Sequence, residues 1–306
     1  AYAMLRSLVG SEMCIRDSFK VGSEDTNEVM FTGQRVKWAF EGEDEKKPLQ
    51  AKGKQKHHIT VDQELKVEEL GEIVSDKHLR EDQACTPDLH RQYRSVLGQI
   101  NWLQSRTQFQ SCYDFSRCAS AAAAPNIGHV KQINRLVRKI RQQVVKLQFW
   151  PLNGTCRIIG YPDASYQNNR PDFSSQKGHA IFLAESRKPL QANPRASLVD
   201  YDSSKIKKAV QSTTVAELYA FMKCFGTCQY LRGLWKDMTG ESAEIHMRTD
   251  ANNLVTTAAT THLPEQRETI HMINQLRHES CSGSIDLSLI HISEPTRLLS
   301  ISYAGL

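Results

Sequence analysis

The spacing of apolar residues changes along the last part of the chain, and this change constrains the fold most strongly. Short β-compatible runs come first, at residues 156–160, 179–184 and 196–202. A stretch with helical spacing follows, with apolar side chains at Val215, Leu218, Tyr219, Met222 and Phe225. Residues 244–249 return to a strand pattern, and residues 265–277 are again helical. Strands followed by alternating helix and strand predict an α/β domain with a mixed sheet.

The composition of the 306-residue chain excludes several classes of protein. With 40% hydrophobic and 24% charged residues, it is neither collagen-like nor wholly disordered, and its length allows two domains. No stretch approaches the roughly 20 apolar residues that cross a bilayer, so we expect no membrane partner. The eight cysteines lack paired zinc-ligand spacing and indicate reduced intracellular thiols. Cys224 and Cys228 are four apart on a helix, where buried small residues are favoured over metal ligands.

Charge divides the chain more clearly than any linker does. Residues 19–84 contain 11 Lys/Arg and 15 Asp/Glu, whereas residues 85–150 contain 10 and 2, and residues 151–286 contain 15 and 14. The acidic first segment has apolar runs at residues 29–31 and 36–40, which predict hairpin-like strands with too little core to fold alone. The middle segment is therefore strongly basic.

The basic segment is predicted to be mostly helical. One helix starts at Pro87 and Asp88. A second has an apolar stripe at Val130, Ile133, Leu136, Val137, Ile140, Val144 and Leu147. Its other faces are basic, through Lys131, Arg135, Arg138, Lys139 and Arg141. Clustered cations of this kind bind nucleic-acid backbones, although a solvated surface helix explains the pattern equally well.

Three acidic residues of the last segment occur at positions where chemistry is common. The pattern places Asp163 at the end of the first strand, Glu217 one turn into the first long helix, and Asp250 at the end of the fourth strand. Ligands gather at strand ends in open α/β sheets. Carboxylates suit Mg²⁺, and two such ions support in-line phosphodiester cleavage. Each acid alone is more simply a turn or cap residue, but the set of three favours a metal site.

The order of motifs resembles the Pol polyprotein of copia-type LTR retrotransposons, from the end of reverse transcriptase through ribonuclease H. The matching words are FTG (31–33), YRSVLGQINWL (93–103), YPDAS (161–165), QSTTVAEL (211–218) and RTD (248–250). The resemblance implies a ribonuclease H-like mixed sheet over residues 151–286, a basic helical thumb or connection over residues 85–150, and a remnant of the polymerase palm over residues 19–84.

The same resemblance implies a function. Asp163, Glu217 and Asp250 match the first three members of a carboxylate set that holds two Mg²⁺ and cuts the RNA strand of an RNA/DNA hybrid. The basic middle segment is then expected to bind that hybrid. The other partner is the remainder of the polyprotein, and the parent element is expected in cytoplasmic virus-like particles and in the nucleus.

The sequence also departs from this family. The polymerase aspartate pair is absent, and the fourth ribonuclease H acid, in an Ala-Asp word after a strand starting near Ser284, is missing, with Asp286 a poor substitute. The family's Arg-Pro-Asp word is degraded at residues 107–114. We therefore expect an inactive or weak fragment of an RNA-templated DNA polymerase and ribonuclease H. A decayed, non-catalytic nucleic-acid-binding remnant and a cellular scaffold are the alternatives.

The two ends of the sequence are related to each other. A DNA sequence encoding LSLIHISEPTR (287–297) has a reverse complement that, one frame over, encodes LVGSEMCIRD (8–17). This relation predicts that residues 1–18 and 287–306 derive from a sequencing-library adapter. Natural tails, or a signal peptide at the start, are the alternatives.

Overall fold

The computed structural model describes residues 19–21, 28–40, 57–75, 78–152, 154–169, 172–186, 196–260 and 269–289. The chain divides into two compact units, Ala1–Pro151 and Leu152–Leu306. Across the described ranges, no helix combines the length and apolar character that a bilayer crossing requires.

An antiparallel sheet forms part of the first unit. Its strands, in both chain order and sheet order, are β1 (Phe19–Val21), β2 (Glu28–Phe31), β3 (Gln34–Phe40), β4 (His57–Asp62) and β5 (Leu147–Phe149). The predicted hairpin is confirmed in β2 and β3. Thr32 and Gly33 join these strands with φ of 47° and 75°, the left-handed backbone that a tight two-residue hairpin turn needs.

Four helices lie between β4 and β5, and the prediction of a mostly helical middle segment is confirmed. They are α1 (Glu64–Glu68), α2 (Pro87–Gln104), α3 (Cys112–Ser120) and α4 (Ile127–Gln142), with a 3-10 turn at Phe109–Ser111. The start of α2 is as predicted, because Thr86 caps it by accepting a hydrogen bond from the Leu89 amide at 3.3 Å.

The apolar stripe of α4 packs against α2 in the core of the first unit. Tyr93, Ile100, Val130 and Ile133 are all fully buried there. The prediction that the stripe continues through Val144 and Leu147 is wrong: α4 ends at Gln142, and Leu147 lies in β5 opposite Val61. Leu147 is nevertheless buried, and an apolar residue at helical spacing can satisfy its burial equally well in a strand.

The second unit is an α/β domain. Its strands are β6 (Cys156–Asn169), β7 (Ser174–Glu185), β8 (Ala196–Lys205), β9 (Glu244–Thr249) and β10 (Ile285–Leu289), and its helices are α5 (Thr213–Thr239), α6 (Asn252–Ala259) and α7 (Ile270–Cys281). The sheet order is β10-β9-β6-β7-β8, with β6, β7 and β8 antiparallel and with β9 and β10 parallel to β6. The predicted fold class, an α/β domain with a mixed sheet and helices, is confirmed.

Several boundaries in the second unit differ from the prediction. The first three strands are longer than their apolar runs, since cross-strand pairing continues through polar residues on either side of each run. Helix α6 has no predicted counterpart, and α7 starts at Ile270, while residues 261–268 lie outside the described residues. Strand β10 extends to Leu289, three residues into the predicted adapter-derived segment. Residues 1–18 and 290–306 of that prediction lie outside the described residues.

Helix α5 packs closely on the central strand β6. A Cβ atom on Gly160 would lie 2.8 Å from the Cys224 Sγ, 2.9 Å from the Met247 Sδ and 3.0 Å from the Cys228 Sγ. Only glycine allows this approach. Both cysteines are fully buried, as expected of small core residues rather than metal ligands.

Candidate metal centre and nucleic-acid surface

Asp163 lies in the middle of β6, so the prediction that it ends a strand is wrong. Pairing of β6 with β9 stops at Gly160, whereas pairing with β7 continues through Ser165. Pro162 has no amide hydrogen to donate to a neighbouring strand. It lies just beyond the residues of β6 that pair with β9, so no such hydrogen bond is lost there. The strand therefore continues, but one of its edges opens at Asp163. This opening has the same consequence as a strand end, because it leaves room beside the carboxylate.

Glu217 and Asp250 lie where their local sequences place them. The Ser212 side chain accepts a hydrogen bond from the Val215 amide at 3.3 Å and so caps α5, which puts Glu217 one turn into the helix. Asp250 directly follows β9. Because β9 runs parallel to β6, its end lies at the edge where β6 opens. Two strands and one helix thus deliver three carboxylates to one place.

The structure brings these three acids together. Asp163, Glu217 and Asp250 each offer one carboxylate oxygen, and these atoms all lie within 4.8 Å of one another. Asp163 and Glu217 are half-buried, while Asp250 is exposed. The Oε2 atom of Glu217 is buried and has no hydrogen-bond partner among the described residues. A buried carboxylate oxygen without a donor leaves a ligand position open to a cation.

The pKa values of two acids in the cluster are raised, because the carboxylates are partly buried and repel one another without a neutralising cation. Burial, followed by the charge of Asp250, raises the pKa of Asp163 to about 6. Burial, followed by the charges of Asp163 and Asp250, raises the pKa of Glu217 to about 8. The Ala164 amide donates to both carboxyl groups and lowers both pKa values, but burial outweighs it. A bound cation would relieve the repulsion among these carboxylates, and their hard oxygen atoms suit Mg²⁺. Asp163, Glu217 and Asp250 would hold this ion.

Asp286 does not join this cluster. It lies in β10, where its Oδ2 accepts a hydrogen bond from the His246 Nδ1 at 2.8 Å and lies 3.7 Å from an Arg248 nitrogen. These contacts fix its carboxylate along the β9–β10 pair. The described acidic cluster accordingly contains three carboxylates.

The predicted nucleic-acid-binding residues all lie on α4, but they are not equivalent. Three of them form ion pairs within the first unit: Lys131 with Glu81 at 3.1 Å, Arg138 with Glu72 at 3.5 Å, and Lys139 with Asp114 at 2.7 Å. Arg135 and Arg141 are exposed and form no ion pair with any described residue. These two guanidinium groups are therefore the most accessible cations of the predicted set.

Sequence reasoning missed two features of these sites. The Ala164 amide is a main-chain donor and carries no sequence signal. The acidic partners of α4 are far from it in sequence, although the excess of acids in residues 19–84 could have suggested that some of them neutralise the basic segment.

Trp102 is 37% exposed, and the Arg106 guanidinium lies 4.8 Å from the centre of its ring.

Comparisons with known proteins give no assignment to a family. No family model matches the chain, and no curated protein sequence matches it. Among solved structures, it is similar to the compost-derived LC11-RNase H1 in complex with an RNA/DNA hybrid, with 15% identity, 44% of this chain and 85% of that chain covered, and a TM-score of 0.31.

Two further structures are similar at the same low level. The N-terminal RNase H domain of Rv2228c from Mycobacterium tuberculosis is 10% identical, with 46% of this chain and 86% of that chain covered and a TM-score of 0.31. A foamy viral protease-reverse transcriptase in complex with double-stranded DNA is 12% identical, with 73% of this chain and 44% of that chain covered and a TM-score of 0.24. At these scores the similarities identify neither a family nor a function.

Proposed function

We propose that the second unit is a Mg²⁺-dependent ribonuclease H that hydrolyses the RNA strand of RNA/DNA hybrids. The observation that carries this proposal is the convergence of Asp163, Glu217 and Asp250, from three separate elements, within 4.8 Å. The chain as a whole is proposed to be part of a retroelement Pol polyprotein of copia type. The sequence words shared with that family support this assignment, and they include the words that contain all three acids.

The chain's own residues would act by binding and orienting. Asp163, Glu217 and Asp250 would hold the ions, and the Ala164 backbone amide favours the charged forms of the first two. When bound, Mg²⁺ lowers the pKa of the attacking water and stabilises the leaving 3′ oxygen. Because the described cluster offers three carboxylates, we expect weak binding of a second ion and low activity in this chain.

The first unit is proposed to position the hybrid. Residues 85–150 would form the thumb or connection, and residues 19–84 the end of the palm of an RNA-directed DNA polymerase. The exposed Arg135 and Arg141 of α4 would contact phosphates, with Lys131, Arg138 and Lys139 adding positive potential. The parent element would act in cytoplasmic virus-like particles and in the nucleus. Residues 1–18 and 287–306 are proposed to be adapter-derived.

The test is cleavage of an RNA/DNA hybrid with labelled RNA, measured with Mg²⁺ or with EDTA. We expect slow, Mg²⁺-dependent cleavage that Asp163→Asn and Asp250→Asn abolish while hybrid binding is kept. Asp172→Asn is the matched control, because Asp172 is an exposed acid outside the cluster that pairs with Lys205. Cleavage undiminished by Asp163→Asn would refute the site. Hybrid binding without any cleavage would instead support a non-catalytic remnant.

A further inference from the structure

Helix α5 has an exposed apolar face in its second half. In the first half, Leu218, Phe221 and Phe225 are buried in the core. In the second half, Tyr230, Leu234 and Met238 follow one another at four-residue spacing and are 70%, 42% and 66% exposed. Residues four apart lie on the same side of a helix, so these three form one stripe. Exposed apolar side chains that adjoin in this way indicate a contact surface.

Two glycines lie on the same face, which we call the α5 face and define as Lys223, Gly226, Thr227, Tyr230, Gly233, Leu234, Asp237 and Met238. Gly226 and Gly233 are exposed, and a Cβ atom at either position would meet no described atom within 4 Å. A glycine in an exposed helix interior is less favourable than alanine by about 1 kcal/mol. No contact within the described residues requires a glycine at either position. Close packing of a second helix against this face would require a residue without a side chain there.

The charged residues of the α5 face are arranged so that the face can pair with a second copy of itself. Lys223 lies seven residues before Tyr230 in the chain and Asp237 lies seven residues after it, and the two carry opposite charges. At 100° per residue they also lie about 20° to either side of Tyr230 around the helix axis. Both side chains are exposed, and neither forms an ion pair with any described residue. The charge pattern is therefore antisymmetric about Tyr230, as a two-fold axis requires of a self-complementary surface.

Four further positions of the α5 face form two pairs under the same symmetry. If two copies of α5 cross antiparallel at Tyr230, Lys223 of one copy faces Asp237 of the other. In the same arrangement, Gly226 lies at the level of Leu234 of the other copy, and Thr227 lies at the level of Gly233. Each glycine thus lies at the level of a larger side chain, and its lack of a side chain allows the two helices to pack closely.

We propose that the α5 face is a homodimer interface, in which two copies of this chain pack α5 against α5 in antiparallel orientation around Tyr230. The contact spans about 22 Å of helix from Lys223 to Met238. An interface of this size is small, so we expect a dissociation constant on the order of 10–100 µM. Glu217 lies about 20 Å along the axis from Tyr230 and about 140° around it, so the dimer leaves the acidic cluster accessible.

Sedimentation equilibrium of the full chain tests this proposal, with folding checked by circular dichroism. We expect Lys223→Asp to weaken dimerisation about tenfold, because it places like charges opposite each other at two symmetry-related sites. Asp237→Lys should have a similar effect. The combined Lys223→Asp, Asp237→Lys variant should restore dimerisation to within about threefold of the wild type, since it exchanges the charges across the two-fold axis. Lys236→Asp, on the same helix but about 120° from Tyr230, is the matched control.

Cross-linking provides a second test that does not depend on a change in affinity. Tyr230→Cys places two thiols at the two-fold axis, and mild oxidation should produce a disulfide-linked dimer. Lys236→Cys and the parent chain, with its exposed Cys281, set the background. A folded wild-type chain that stays monomeric at about 300 µM would overturn the proposal, as would a charge exchange that fails to restore association.

Discussion

Removing the charge of Glu217 should stabilise the metal-free protein. Burial and the charges of Asp163 and Asp250 raise the pKa of Glu217 to about 8, from an ordinary value of 4.5. The folded state therefore binds the Glu217 proton more tightly than the unfolded state does. Between pH 4.5 and pH 8, the unfolded chain loses this proton before the folded chain does, so the free energy of unfolding falls as the pH rises. Glutamine has nearly the shape of the neutral acid but cannot ionise, so the variant does not lose this part of the free energy of unfolding.

The size of the effect follows from the pH at which it is measured. At pH 7, the pH is about 2.5 units above the ordinary value, and each unit is worth about 1.4 kcal/mol. The effect is smaller than the product of these two numbers, because Glu217 is only partly buried and interacts with the charges of two other acids. We therefore expect Glu217→Gln to raise the free energy of unfolding by on the order of 2 kcal/mol at pH 7 in EDTA. The difference should vanish near pH 4.5.

Urea unfolding of the two proteins in EDTA, at several values between pH 4.5 and pH 8, measures this effect. Glu241→Gln is the matched control, because Glu241 is an exposed residue just after α5. Mg²⁺ should stabilise the wild type more than it stabilises Glu217→Gln, since the variant has lost a ligand. If Glu217→Gln were no more stable than the wild type at pH 7 to 8, this would refute the argument that the negative charge of Glu217 destabilises the metal-free fold.

Three further changes test the packing, the helix start and the basic helix. Gly160→Ala places a methyl group within 3.0 Å of three sulfur atoms, so urea unfolding should show a loss of about 1–3 kcal/mol, whereas Gly226→Ala should not destabilise the chain. Ser212→Ala removes the cap of α5 and should lower stability by about 1 kcal/mol in the same assay, and no loss would show that the cap is dispensable. Charge reversal at Arg135 and Arg141 should weaken hybrid binding and reduce its slope against log salt by about 1 per residue. An unchanged slope would identify α4 as an ordinary solvated helix.

Local features of this fold are determined by the sequence itself. The turn at Thr32 and Gly33, the start of α2 at Pro87 and the start of α5 after Ser212 all follow from residues within one turn of each feature. The alternation of strands and helices in the last segment likewise predicts a mixed sheet. Backbone sterics and capping hydrogen bonds act over a few residues, which is why they can be recognised in a sequence.

Other features were decided by contacts between distant parts of the chain. Leu147 has helical spacing, but it lies in β5 because β4 offers an unpaired edge. Three of the five predicted phosphate-binding cations form ion pairs with acids 25 to 66 residues away in sequence. The sequence pattern singles out Asp163, Glu217 and Asp250, but only the packing of α5 on the sheet brings them within 4.8 Å. Burial, followed by neighbouring negative charge, then raises the pKa values of Asp163 and Glu217. Burial and proximity are properties of the packed chain, and no spacing rule contains them.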